Sequence, residues 1–351
     1  MTAPRPPMAK NTKREDVAAD LAESVIKGDR RALARAITLV ESTRADHRDR
    51  AESLLARLLP ATGKAVRIGI SGAPGVGKST FIEALGLYLL AQDHRIAVLA
   101  VDPSSPRSGG SILGDKTRME ELARMANAFI RPSPTGGTLG GVARRTREAG
   151  LVCEAAGFDV VIVETVGVGQ SEIAVADMVD LFILLLPPAG GDELQGLKKG
   201  IVELADIIVV NKADGDLRAA AGRAAAEYAA AIPLLRVTIP GWSTPVLQVS
   251  ALERRAIAEV WAHVTRYRRV QGAARLEARR TAQAKAWMWN EIEEGLIVEL
   301  KGHPRVAGLL GKFESKVSQG VMTPTAAARA VLSTFRGDGP AADLKRRATS
   351  S

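Results

Sequence analysis

A single cysteine, Cys153, leaves this chain without a disulfide framework and without a cysteine-based structural zinc site, and suits a reducing cytoplasm. Its four histidines are scattered, so the His-rich tract or paired cysteines of a metal-delivery segment are missing. Aromatic residues make up only 4% of the chain and offer few platforms for stacking single-stranded bases. The longest apolar run, "LFILLLPPAGG", is far too short to cross a bilayer, so no membrane association is expected. The opening "MTAPRPPMAKNTKRED" has no apolar signal-peptide core, and residues 1–13 read as a disordered lead-in. Positive charge is in excess, formally +9. Because the basic residues alternate with Glu and Ala along helical stretches, a solvated surface is expected rather than a nucleic-acid partner.

With 351 residues, 46% of them hydrophobic, the chain has material for one large α/β domain and smaller additions. Residues 14–62 read as a helical segment in which Leu21, Val25, Ile26, Leu33, Ile37 and Val40 recur on one face. From 63 to 265 short β runs alternate with helices: "RIGI", "RIAVLAV", "AFIRP", "DVVIVE", "LFILLL", "DIIVVN" and "VLQVS". Strands that are apolar almost throughout predict a mostly parallel sheet covered by helices on both faces. Residues 266–351 read as a helical region, with a last helix starting near Thr323 and Pro324.

The chemistry begins after "RIGI". Gly72, Ala73, Pro74, Gly75, Val76, Gly77, Lys78 and Ser79 fit the phosphate-loop pattern Gly-x-x-x-x-Gly-Lys-Ser, with Thr80 next to them at the start of a helix. Glycines let backbone amides close around a β-phosphate, Lys78 reaches the β- and γ-oxygens, and the Ser79 hydroxyl can ligate Mg²⁺. The strand before the loop and the helix after it argue against a merely structural glycine turn.

The base follows from "NKAD", placed where "DIIVVN" ends. A carboxylate at Asp214 can accept from both N1–H and the exocyclic amine of guanine, whereas adenine would leave a buried charge unpaired. Asn211 is expected to tie the loop together, and the stem of Lys212 to lie along the base. Ser250 stands in "VSA", after the last strand, where the amide of Ala251 or Leu252 can meet guanine O6. GTP is therefore expected rather than ATP.

"DVVIVETVGVGQSE" carries Glu164 where many nucleotide hydrolases carry Asp. Glu164 is expected to hold Mg²⁺ directly or through water, with Gly167 presenting its amide to the γ-phosphate; the alternative is a helix-capping acid. Its distance from Ser79, two strand–helix units, suits the SIMIBI class of P-loop NTPases better than the Ras-like one. Asp102 emerges at the C-terminal end of a strand, where ligands bind in open α/β sheets, and Asp115 follows a glycine-rich span. One of them is expected to orient the attacking water and the other to serve the Mg²⁺ shell, unless they are turn or capping residues. No arginine finger is assignable, although Arg107 and Arg118 lie nearby.

Together "GAPGVGKST", "AVLAVDPSSPRSGGSILGDKTRM", "FIRPSPTGGTLGGVARRTRE", "CEAAGFDVVIVETVGVGQSE", "GGDELQGLKKGI" and "ADIIVVNKAD" closely resemble the MeaB/ArgK-type GTPases, which include the human methylmalonic aciduria type A protein. They span about 65–215 in the family's order, and Glu164 is the family's normal form. The resemblance implies a homodimeric, Mg²⁺-dependent GTPase that gates adenosylcobalamin loading and protects methylmalonyl-CoA mutase, hydrolysing GTP slowly until the mutase binds. It implies Mg²⁺ and catalytic roles for Asp102, Asp115 and Glu164 beside Lys78. It also implies a partner-responsive switch over 188–200, with Asp192, Glu193, Gln195 and Lys198, where the residues alone suggest only a loop and helix start. The segment "KAWMWNEIEEGL" is implied to be a dimerisation arm. Competing roles are a metallochaperone GTPase, which the scarce His and Cys disfavour, and an RNA- or ribosome-associated GTPase, which rests on charge alone. An amino-acid transport kinase would need a second, acceptor site that no motif supplies.

Overall fold

The computed structural model describes residues 12–101, 119–132, 139–165, 171–188, 199–235 and 240–337. Three helices, α1 (Thr12–Ile26), α2 (Arg30–Val40) and α3 (Ala45–Leu58), precede β1 (Val66–Gly72) and α4 (Lys78–Leu90). There follow β2 (Ile96–Val101), α5 (Glu120–Arg124), β3 (Ala128–Arg131), α6 (Leu139–Ala155), β4 (Val160–Thr165), α7 (Ser171–Ala176) and β5 (Leu181–Leu186). Then come α8 (Lys199–Leu204), β6 (Ile207–Val210), α9 (Arg218–Leu235) and β7 (Val246–Gln248). The helices α10 (Ile257–Gly302), α11 (Pro304–Ser318) and α12 (Pro324–Arg336) complete the described chain, with α10 broken at Gly272.

All seven expected strands form, in the order β3-β2-β4-β1-β5-β6-β7, and every pairing is parallel. Alternate residues explain the near-continuous apolar runs, because each strand feeds two cores. Leu99, Val161, Val163, Phe182 and Leu184 face one core together with α2, α3 and α6. Ile70, Val98, Ile162, Ile183 and Val209 face the other, together with Phe81, Ile82 and Leu85 of α4 and Val260, Val264 and Tyr267 of α10.

Three strands are entered through an aspartate, and each aspartate aligns its strand with the next. Asp159 donates its amide to the Arg95 carbonyl (3.0 Å) and accepts the Arg95 amide on its carboxylate (2.7 Å). Asp180 does the same with Arg67 (2.9 and 3.0 Å), and Asp206 with Phe182 (2.8 and 3.0 Å). These acids therefore satisfy backbone donors at the edge of the sheet opposite the site.

The chain forms two compact units, Met1–Gln283 and Ala284–Ser351. The N-terminal helices share a core with the sheet, and Leu21, Val25, Leu33, Ile37 and Val40 are buried as expected. Ile26 is the exception at 49% exposed, since Val25 takes the inward position and the next residue turns about 100° away. Arg131 chelates Glu41, and Arg30 donates to the carbonyls of Ala126 (2.5 Å) and Ala128 (2.9 Å), fixing α2 against β3. The helix α10 stays with the first unit well past residue 265. Arg280 reaches Asp180 (2.7 and 2.6 Å) and the carbonyls of Gly63 and Ala65 (2.5 and 2.6 Å), and Arg279 lies 3.8 Å from Asp206. The buried Asp180 carboxylate, hydrogen-bonded to Arg280, raises the guanidinium's pKa above its ordinary value. In the second unit Val306 and Ala327 are buried, while α10 exposes Met288, Trp289, Ile292 and Leu296.

Candidate nucleotide-binding site

The site sits at the C-terminal ends of the central strands, where the chain leaves β1, β4 and β6. From β1 it turns through Ala73–Gly77 into α4. Gly77 caps that helix at φ 92, and a Cβ there would lie 2.8 Å from the Asn211 side-chain nitrogen, so the position needs glycine for both conformation and space. At Gly72 a Cβ would overlap the Leu185 carbonyl of β5. Ala73, Pro74, Gly75 and Thr80 are exposed around this turn, and Val76 anchors it in the core.

Lys78 is buried, its ammonium donating to the carbonyls of Gly72 (2.8 Å) and Ala73 (3.3 Å), so the cation lies folded under the loop. Ser79 follows, and its hydroxyl donates to Glu164 Oε1 at 3.2 Å. This contact joins the first turn of α4 to the end of β4. Beside it, Thr165 donates to Ser71 at 2.7 Å and locks the two strand ends together. A hydroxyl and a carboxylate side by side form a hard oxygen donor set, which fits Mg²⁺.

Asn211 links the phosphate loop to the loop after β7. Its buried amide donates to the Val76 carbonyl (2.9 Å) and, more weakly, to that of Gly77 (3.5 Å). Its oxygen accepts from Ala251 N–H at 3.2 Å. Lys212 stands exposed in the left-handed region at φ 59, and the half-buried Asp214 accepts a 2.5 Å hydrogen bond from Ser250. The ladder continues between these loops, with the Ala213 amide on the Val249 carbonyl (3.0 Å).

The structure thus brings together Gly72 to Thr80, Glu164, Asn211, Lys212, Asp214, Ser250, Ala251 and Leu252. Of the two amides expected near a base oxygen, that of Ala251 is engaged by Asn211 at 3.2 Å. Asp102, Asp115, Gly167, Asp192, Glu193, Gln195 and Lys198 lie outside the described residues. Sequence reasoning missed Ser71, Thr165 and Arg255, whose guanidinium meets the Ala213 carbonyl. No local pattern marks such contacts, since they join residues far apart in the chain.

Residues 33–305 match the family model described as "Methylmalonyl Co-A mutase-associated GTPase MeaB". A putative GTPase of Caulobacter vibrioides is 57% identical over 316 residues, covering 90% of this chain and 97% of its own. The methylmalonic aciduria type A homolog, mitochondrial, of Mus musculus is 51% identical over 323 residues, covering 89% and 78% respectively. GTPase ArgK of Escherichia coli is 50% identical over 286 residues, covering 80% and 86%. Among solved structures, a LAO/AO transport system kinase superposes with a TM-score of 0.74 at 38% identity, covering 92% of this chain and 98% of that one. The parallel sheet, the phosphate loop on β1 and the matches across most of its length make this chain a member of the MeaB family of methylmalonyl-CoA mutase-associated P-loop GTPases.

Proposed function

We propose that this chain is a Mg²⁺-dependent GTP switch that attends an adenosylcobalamin-dependent methylmalonyl-CoA mutase, gating cofactor loading and protecting the mutase. The observation that carries the reading is the placement of Asn211, which holds the phosphate loop through Val76 and the base loop through Ala251. A nucleotide spanning both loops would bear on that one side chain.

In this reading the amides of 72–80 and Lys78 take the phosphates. Lys78 leaves the Gly72 and Ala73 carbonyls for the β- and γ-oxygens. Asp214 accepts guanine N1–H and the exocyclic amine while Ser250 steadies its carboxylate, the stem of Lys212 covers the base, and Leu252 N–H meets O6. Ser79 and Glu164, with Asp102 and Asp115, would hold Mg²⁺, which supplies neutralisation of phosphate charge. Gly167 and the segment with Asp192, Glu193, Gln195 and Lys198 would report the γ-phosphate to the mutase.

The second unit supports a homodimer. Met288, Ile292 and Leu296 recur every four residues on α10 with Trp289 beside them, an apolar stripe suited to a second copy of the same helix. Among the described residues no helix is long and apolar enough to cross a membrane, and we place the protein in the cytoplasm on the strength of its one buried thiol.

The test is GTP turnover by the purified protein, alone and with an adenosylcobalamin-dependent mutase. Stimulated turnover with co-elution is the expected result. Stimulation by RNA or ribosomes in place of the mutase would overturn the reading.

A further inference from the structure

We infer that Arg255 is a positioning residue for guanine selectivity, acting through the backbone that carries Asp214. The inference rests on the base pocket proposed above and assigns it a brace that lies outside the motif residues.

The loop after β7 is held in an uncommon shape. Arg254 and Ala256 adopt φ values of 53° and 63°, left-handed conformations that are rare for residues with a side chain. Such conformations persist where the surroundings over-determine them, and they concentrate at functional sites. The surroundings here are specific. Ser250 and Arg255 form an antiparallel bridge, with Arg255 N–H on the Ser250 carbonyl at 2.9 Å. The Ser250 hydroxyl accepts from Glu253 N–H at 3.0 Å while donating to Asp214.

Two successive arginines then leave the loop for different partners. Arg255 crosses to the Ala213 carbonyl, the peptide immediately before Asp214, and its guanidinium is also held by Glu253 at 3.1 Å. Arg254 makes a two-pronged contact with Glu121 of α5 (2.6 and 2.7 Å), and Glu83 of α4 accepts the Glu121 amide at 2.9 Å. The Arg254–Glu121 pair has about half of each side chain exposed (52% and 57%), where ion pairs contribute little. Arg255 instead gives a partly buried carbonyl a charged donor, the stronger kind of bond. It fixes the Ala213–Asp214 peptide from one side while Ser250 holds the carboxylate from the other. Losing Arg255 frees that peptide and lets the carboxylate drift from the guanine amine, while among the described residues its polar partners are Ala213, Glu253 and Ser250, outside the phosphate loop.

Inosine triphosphate lacks only the exocyclic amine and keeps N1–H, so the GTP-to-ITP affinity ratio reads the amine half of the Asp214 contact. One hydrogen bond to a charged group is worth roughly ten- to a hundred-fold, and the unaltered protein is expected to prefer GTP by that factor. Arg255→Ala should cut the ratio about ten-fold, GTP losing the amine contact while ITP, which shares only the N1–H contact, weakens less. Arg255→Lys, which keeps one charged donor, should fall between, and it keeps the test valid if the alanine variant folds poorly. Arg254→Ala should change the ratio by less than about three-fold. A ratio preserved in both Arg255 variants, or equal losses for GTP and ITP, would overturn the inference while leaving the pocket intact. An unaltered protein indifferent to GTP or ITP would instead remove the base-pocket reading, and this inference with it.

Discussion

In the proposed base pocket, exchanging Asp214 for Asn changes one atom group and reverses what a guanine would meet. In the structure Asp214 Oδ2 already accepts from Ser250 at 2.5 Å. An asparagine can keep that bond through its oxygen, which turns its NH₂ toward the pocket. Guanine then presents N1–H and an amine to a donor, and both charge-assisted bonds are lost. At about 1.5–3 kcal/mol each they sum to ~3–6 kcal/mol, or on the order of 10²- to 10⁴-fold in GTP affinity. Xanthine carries an oxygen where guanine carries the amine but keeps N1–H, so the new NH₂ gains one acceptor and XTP binding should rise by roughly one hydrogen bond, recovering part of the affinity lost for GTP. The assay is competition against a fluorescent guanine nucleotide, with GTP, XTP and ATP as competitors, on the native and variant proteins. ATP should remain weak in the native protein, because adenine offers neither donor. Full guanine preference in Asp214→Asn would show that the base is read elsewhere.

Three further outcomes are expected. Lys78→Ala should abolish tight GTP binding in titration calorimetry, because the phosphate charge loses its buried cation; unchanged affinity would mean the phosphate site lies elsewhere. Arg280→Ala strands the Asp180 carboxylate, which is 1% exposed, and breaking such a buried pair costs about 3–5 kcal/mol. For a unit of this size that lowers Tm by roughly 6–20 °C in a calorimetric scan, and a shift under about 2 °C would count against the brace. Cys153 is fully buried, and burial, reinforced by Glu154 and Glu41, pushes its thiol far above the ordinary range. It should therefore resist thiol reagents in the native protein and react fully in denaturant, and rapid native labelling would contradict that environment.

Local chemistry made the phosphate loop legible, because its glycines, Lys78 and Ser79 act within one turn of chain and one strand–helix junction. The same holds for the seven strands, whose unbroken apolar runs can only be buried on both faces, and for the "NKAD" motif, which follows one of them. The amphipathic face of the N-terminal helices was legible except at its end, where Ile26 lies past the buried arc. Contacts between distant segments were decided only by the tertiary structure: Ser79 on Glu164, Asn211 bridging Val76 and Ala251, Arg255 on Ala213, and Arg280 on Asp180. Periodicity and spacing describe what each segment buries, whereas a hydrogen bond depends on where two separate segments come to rest. The sequence by itself therefore determined the phosphate-loop pattern and the parallel sheet. Packing of that sheet determined which amide Asn211 engages and which arginine meets the carbonyl before Asp214.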